Sequence, residues 1–564
     1  MTTAPKEPNR SEGTPQNTPP RLSWLVIVCS LFLLTVHVVL INRSIHTLSP
    51  VGPEIGHLIR GSEAILNRKS DLASQVHPYD YLVGLQLLSS PNNPRPTSQH
   101  TDEPIDSQLD QLVKQWLLTD TFHGSDSPLI HARQTTMILS VLLGLMVLML
   151  SRRLWGNQGA LLSLALYCFS PSIIAHASLA TPDLANALVL VVLATWTWRA
   201  GCKRSATGTP HPLWPVMLLI LAGLLQKAMA SKPLPTELWQ GAWFLNGNVA
   251  KEHLAHFYSY CFLIKTPIVT LVVLTLAFGA WIKRKGHRRR EIQQAWPMIC
   301  IGLTTLYTAA GMTQPIGHRL LLPLYPVLFI FAGSATLWPT KSNTSPKQNV
   351  RHPNPTWLCG VAICVLAFGA WQTMPDFLTF TNQAAGPRDR AWQHLASDNM
   401  DWGQAHRRSA LRADYLASYG PMAQADRATS DISLLQWNNA PLKGGVYVIS
   451  SNYISGAVPD VLPGDWTHEM EIQYQRLRDY FKNDLLKQDD SAKHAHDHQM
   501  PQLNHQQWLW LRLRLARLCA HLRIREPDTV IGQSMLSYQL SDEQVQYMLK
   551  TAPYPQRDDD SLMN

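Results

Sequence analysis

"TTMILSVLLGLMVLMLSRRLWGNQGALLSLALYCFSPSIIAHASLATPDL", residues 135–184, holds two apolar runs, about 135–151 and 158–177, on either side of the short basic and polar stretch "SRRLWGNQG". Each run is close to the ~20 residues an α-helix needs to cross a bilayer. The stretch therefore reads as two membrane spans joined at a basic turn. Its far end carries His176 and Asp183. Basic residues mark one side of the membrane and unusual polar residues the other.

The same alternation extends along the chain. Nine candidate spans lie at about 22–42, 135–151, 158–177, 184–199, 213–229, 257–282, 295–312, 320–338 and 357–372. "SRRLW" follows the second, "RAGCKRS" the fourth and "KRKGHRRR" the sixth. Lys341, Lys347 and Arg351 follow the eighth, and Lys6, Arg10 and Arg21 precede the first. All five groups share a side if every span crosses once, and the positive-inside rule makes that side the cytoplasm. The first span is too long for a signal-peptide core and is read as a retained anchor after a disordered Pro/Thr-rich segment, 1–21. The outer side then receives loop 43–134 and the tail from residue 373.

Whole-chain averages hide this split. The chain has 564 residues and a formal charge of +9, with a mean hydropathy of −0.08. The charge sums over both faces of a membrane and is no argument for nucleic acid. Six of the eight cysteines sit inside apolar runs, leaving Cys202 and Cys519, so neither a disulfide framework nor a metal-type CxxC pair is present. The expected class is a mostly α, polytopic membrane protein with a C-terminal soluble α/β or α+β domain over 373–564.

The outer segments hold the candidate chemistry. "VGPEIGHLIRGSEAIL", 51–66, predicts a helix with Pro53 in its first turn and Glu54 and His57 on one face. Asp183 follows Thr181 and Pro182, which suits a helix cap; with His176 nearby it equally suits a metal or an acceptor hydroxyl. Lys265 lies in an apolar run before Pro267, placed either to snorkel to the interface or to meet a lipid phosphate. His318 and Arg319 open the eighth span, where an arginine serves as an interfacial anchor or a bidentate phosphate ligand. "HPYDYL" supplies His77 and Asp80, the acids Asp102, Glu103, Asp106 and Asp110 read as a solvated linker, and "KHAHDHQM" reads as a flexible loop. In the tail, "GGVYVISS" and "DTVIGQSMLSYQL" predict strands, and "WLWLRLRLARLCAHLRIR" predicts a basic amphipathic helix that packs in the domain or rests on lipid.

Five blocks carry a resemblance. The stretch 133–184, "YCFLIKTP", "IGHRLLLPLYPVLFIFAG", "DNMDWGQ" and "REPDTVIGQSMLSYQL" resemble, in this order, bacterial membrane glycosyltransferases of the dolichyl-phosphate-mannose protein mannosyltransferase type. The resemblance covers most of 50–340 and parts of 372–545. It implies a GT-C bundle in the bacterial inner membrane, with the C-terminal domain outside the cytoplasm. It also implies a sugar donor on a polyprenyl phosphate and a hydroxyl acceptor on protein or lipid. A first-loop Asp-Glu pair carries the family's chemistry. That pair falls on Pro53-Glu54, so its aspartate is missing. The family's late Arg-His falls on Arg319-Leu320, and the segment before "WFLNG" is short.

The resemblance therefore implies Glu54 as base, with His57 and Asp183 assisting and His77, His318, Lys265 and Arg319 lining the donor site. If the alignment shifts, Asp71 or Asp80 serves instead. No cofactor is specified, and a divalent cation is left open. Two other readings stand beside transfer: an inactive membrane scaffold derived from such an enzyme, and a transporter. The transporter lacks a visible internal repeat.

Overall fold

The computed structural model describes residues 23–66, 76–89, 127–204, 217, 219–224, 242–250, 252, 254, 256–284, 288–312, 316–338, 356–423, 431–437, 441–458, 461–462, 464–488 and 505–553. The N-terminal segment 1–21, Asp71, the acidic stretch 102–110, the His-rich tract 494–498 and most of the fifth candidate span lie outside these residues. The protein is mostly helical. By length and composition, two described helices are long and apolar enough to cross a membrane: α1 (Trp24–Thr47) and α4 (Pro128–Cys168).

Helix α4 contains the decisive stretch. It runs through 41 residues, but Gly156 at its middle has φ 76° and ψ −167°, far from helical values. Ser151 Oγ lies 2.7 Å from Ser163 Oγ, and Ser140 Oγ lies 2.9 Å from the Tyr167 hydroxyl. Residues 27 apart cannot touch along one straight helix, which rises about 1.5 Å per residue. The chain therefore reverses at Gly156, within "SRRLWGNQG", and the two arms lie side by side.

A third candidate span is broken. α7 (Phe257–Lys265) and α8 (Ile268–Lys283) meet at a 106° bend. Pro267 caps α8 and has no N–H to continue the ladder. The sequence pattern gave one helix over 257–282; the structure gives two, with Lys265 as the last residue of the first. Further apolar helices are α10 (Leu324–Ala332) and α11 (Thr356–Thr373), with α5 (Pro171–Ala177), α6 (Asp183–Arg204) and α9 (Arg288–Ala310) completing the bundle.

Between α1 and α4 the chain forms α2 (Gly52–Leu66) and α3 (Pro78–Leu88). Pro53 and Glu54 stand in the first turn of α2 as its sequence predicts. The two helices pack almost backbone to backbone. A Cβ on Gly61 would sit 1.9 Å from the Asp80 carbonyl oxygen, and one on Gly84 would sit 2.3 Å from the Gly61 carbonyl carbon. Both contacts are with backbone, which cannot rotate away. Gly61→Ala should therefore lower stability by at least ~1–3 kcal/mol, the usual range for overpacking. A thermal melt of purified protein checks this, and an unshifted Tm would contradict it.

A short antiparallel hairpin pairs β1 (Trp243–Leu245) with β2 (Asn248–Ala250), and the tail builds a four-stranded mixed sheet from β3 (Tyr415–Ala417), β4 (Gly445–Ser450), β5 (Thr529–Ile531) and β6 (Met535–Leu540), in the order β3-β4-β6-β5. β3 pairs parallel to β4, and the other pairings are antiparallel. Helix α12 (His505–Leu522) buries Leu511, Leu513, Leu515, Leu518 and Leu522 with this sheet's core. Its Arg517 is also buried and pairs with Glu471. The helix packs within the tail and does not present its apolar face to lipid.

The bundle core does not stop at residue 372. Phe377, Leu378, Ala391, Leu395, Met400 and Trp402 belong to it. Asn382 Nδ2 donates to the carbonyls of Leu263 (2.6 Å) and Thr266 (2.7 Å), and Arg407 N donates to Ser49 Oγ at 3.0 Å. The first part of the tail is thus fastened across the bundle's polar end.

Candidate active site

Glu54 is fully buried. Arg133, in the first turns of α4, meets it with two parallel bonds of 2.7 Å, from Nε to Oε1 and from Nη2 to Oε2. The backbone N–H groups of Ala180 (2.7 Å) and Val51 (3.1 Å) donate to the same two oxygens. The rest of the guanidinium donates to the carbonyls of Ile45, Leu48 and Ser49. Four donors occupy the four lone-pair positions of this carboxylate. The pair ties α2, α4, the end of α1 and the turn before α6 into one unit. These contacts support a structural anchor, and they leave no oxygen to accept a substrate proton. They weigh against the expectation that Glu54 is the base.

His57 does not orient Glu54. Its Nδ1 lies 2.7 Å from Asp80 Oδ1, and the Arg60 guanidinium lies 3.0 Å from the same ring nitrogen. Asp80 also accepts from the His77 N–H at 3.0 Å, and the His77 ring accepts from the Tyr79 N–H at 3.1 Å. That reciprocal cap begins α3 and places Asp80 against α2. Burial opposes the Asp80 anion, but His57, Arg60 and the His77 N–H outweigh it and hold the carboxyl below its ordinary range. An ionised Asp80 favours the tautomer in which Nδ1 carries the proton, whereas the Arg60 N–H aimed at the same nitrogen favours the one in which Nδ1 accepts. In the first of these, His57 Nε2 offers the lone pair of a carboxylate-oriented imidazole base.

His77 links this dyad to the next group. Burial lowers its pKa first, and it also feels the charges of Asp80, His57, Asp183 and Arg60. Asp183 begins α6 and is half-buried. Its Oδ2 accepts from Thr181 Oγ1 at 2.9 Å and lies 3.4 Å from His176 Nδ1. Burial alone would raise Asp183, but His176, Arg319 and Thr181 overcome it and hold the carboxyl well below the usual range.

Arg319 stands in a short 3₁₀ turn, His318–Leu321, after Gly317. Gly317 has φ 71°, and a Cβ there would come within 2.7 Å of the Asp398 side chain. Glycine is what lets this turn approach the tail. Arg319 Nε lies 3.3 Å from Asp398 Oδ2, and its guanidinium lies 5.4 Å from the Trp402 ring centroid. His318 faces inward, with Nε2 2.7 Å from the Tyr325 hydroxyl. Burial, then Lys265 and His176, push its pKa well down, so it is neutral at pH 7 and adds no cation. Lys265 Nζ donates to the carbonyls of Leu378 (2.8 Å) and Asn399 (2.5 Å). It fastens the tail to the bundle, which differs from the expected phosphate contact.

The structure thus brings together His57, His77, Asp183 and Arg319 and adds Asp80, Arg60, His176 and Asp398. Asp398 opens the block "DNMDWGQ", in which nothing local signals its approach to Arg319. Asp401 is buried and bonded to Ser450 Oγ (2.5 Å) and the Gly403 N–H (2.9 Å), joining sheet to bundle. Among the described residues no group of three His, Cys, Asp or Glu is arranged to hold a metal ion.

Burial pushes Asp398 up to about 7, with Arg319 opposing and Asp183 reinforcing, and it pushes Asp401 up to about 6. A carboxyl whose folded pKa is raised holds its proton in the folded state when the unfolded chain has already lost it. Stability is then highest below the unfolded value and falls as pH rises through the folded one. The contribution of Asp398 to stability should fall between about pH 4 and 7, against the opposite contribution of the lowered His77 and His318, and Asp398→Asn should remove it. Denaturation midpoints across this range check it; a wild-type slope in the variant would contradict it.

No family model, curated protein or solved structure matches this chain.

Proposed function

We propose that the protein is a membrane glycosyltransferase that moves a sugar from a polyprenyl-phosphate donor to a hydroxyl on a protein or lipid. The proposal takes in a nine-span bundle of the GT-C type in a bacterial inner membrane, with the tail outside the cytoplasm, and the two long apolar helices and the bent pair support its membrane setting. The observation that carries it is the oriented imidazole of His57 on Asp80, joined through His77 to an acid–arginine cluster at the same end of the bundle. A hydroxyl is a weak nucleophile without a base, and a departing phosphate gains charge that a cation must meet.

His57 Nε2 takes the acceptor's proton while the acceptor oxygen bonds to the sugar's anomeric carbon. The bond from that carbon to the phosphate oxygen breaks, and the electron pair leaves with the polyprenyl phosphate. Arg319 meets the phosphate charge. Asp80 holds Nδ1–H in place, and Asp183 accepts from the sugar or acceptor hydroxyls. Glu54 and Arg133 keep the frame rigid. Arg319→Ala should weaken donor binding by about 10- to 100-fold, the range for hydrogen bonds to a charged group. Titration of the reconstituted protein with a labelled polyprenyl-phosphate sugar measures this; unchanged affinity would move the phosphate elsewhere.

The scaffold reading has one observation in its favour: the glutamate aligned with the family's catalytic pair is spent on structure. Absence of any donor binding by the wild type would decide for it.

A further inference from the structure

The opposite end of the bundle carries an unassigned cavity of about 270 Å³. Trp155, Phe278, Trp281, Ala295, Ile299 and Phe331 line it, with Glu291 at its polar edge. These residues come from the α4 reversal, α8, α9 and α10. Lys283 and Arg284, at the end of α8, make this edge basic.

Two polar atoms at this edge are unsatisfied. Arg284 Nη1 bonds Glu291 Oε1 at 2.7 Å, and the guanidinium lies 5.3 Å from the Trp155 ring centroid. Arg284 Nη2 and Glu291 Oε2 are buried without a hydrogen-bond partner. A buried donor and a buried acceptor left open side by side are each unfavourable by ~1–3 kcal/mol, so such groups are normally filled. Lys283 Nζ stands 4.3 Å from the Trp338 ring centroid at the same end.

We infer that this cavity binds an anionic glycerophospholipid whose headgroup carries a hydroxyl, such as phosphatidylglycerol. One acyl chain fills the aromatic-lined cavity. The phosphate oxygen accepts from Arg284 Nη2, and the headgroup hydroxyl donates to Glu291 Oε2. The surrounding basic residues favour a net negative lipid. A choline headgroup has no donor for Glu291 and leaves the lipid without net charge. This site lies away from the acid–arginine cluster and is independent of the transfer chemistry.

Native mass spectrometry of the full chain in detergent tests it, with phosphatidylglycerol or phosphatidylcholine added at equal concentration. Wild type should retain phosphatidylglycerol at least about fivefold better, the factor expected per basic group at an anionic lipid. Ala295→Trp, which fills the cavity, should abolish retention. Arg284→Gln, which leaves the cavity open, should reduce that preference by about fivefold, the share of one basic group. Excess inorganic phosphate should not displace the lipid. Equal retention by wild type, undiminished preference in Arg284→Gln, or displacement by phosphate alone would each overturn the proposal. The Arg284→Gln result stands even if Ala295→Trp does not fold.

Discussion

Arg133→Met should be among the most damaging single changes in the molecule. It leaves the Glu54 carboxylate buried without its cation and strips the donor from three carbonyls, those of Ile45, Leu48 and Ser49. Breaking a buried pair from one side lowers stability by ~3–5 kcal/mol. Glu54→Gln should be damaging from the other side, because Arg133 keeps its charge. The double variant removes both charges together. Its loss should be smaller than the sum of the single losses by ~1–3 kcal/mol, the coupling seen between contacting residues. Denaturation of the four proteins in one detergent checks this. Additive losses would mean that the pair is not the anchor the geometry indicates. The practical consequence concerns Glu54→Gln as an activity test. Its lost signal should follow the lost folded protein, and the folded fraction should still transfer sugar.

His57→Ala and Asp80→Asn should act differently. Each should lower transfer by roughly 10²–10⁴, the usual contribution of a positioned general base. Donor binding, which depends on Arg319, should change little in His57→Ala. Asp80 also caps α3 through the His77 N–H, so Asp80→Asn should lose some stability as well. Transfer rates normalised to folded protein separate the two effects. Wild-type rates in His57→Ala would remove the imidazole from the chemistry.

Much of the local structure was legible. Pro53 and Glu54 in a first turn announced α2, and "SRRLWGNQG" announced a break where Gly156 reverses the chain. Alternation over "GGVYVISS" announced β4, and the leucine spacing in "WLWLRLRLARLCAHLRIR" announced a helix. These signals are set by neighbours within a few residues. The partners of the charged groups were not legible, because they are tertiary. Glu54 and His57 share a helical face, yet α4 claims one through Arg133 and α3 claims the other through Asp80. Nothing near residue 54 points to a guanidinium 79 positions later. Asp398 was obscured for a related reason, since its neighbour Arg319 arrives only through the turn that Gly317 permits. The break at Pro267 is a local feature that the apolar pattern over 257–282 conceals: the run is continuous in hydropathy, and the proline separates two helices. The span count stayed a matter of pattern, as only two described helices are long and apolar enough to cross a membrane by themselves, with the bent pair of α7 and α8 as a third.

The most direct test is transfer of labelled sugar from a panel of polyprenyl-phosphate donors by reconstituted wild type, His57→Ala and Glu54→Gln, each normalised to folded protein. The account predicts transfer by wild type, transfer per folded molecule near wild type in Glu54→Gln, and a loss of about 100-fold or more in His57→Ala. Transfer by His57→Ala at the wild-type rate, with Glu54→Gln silent though folded, would contradict it and return the chemistry to Glu54.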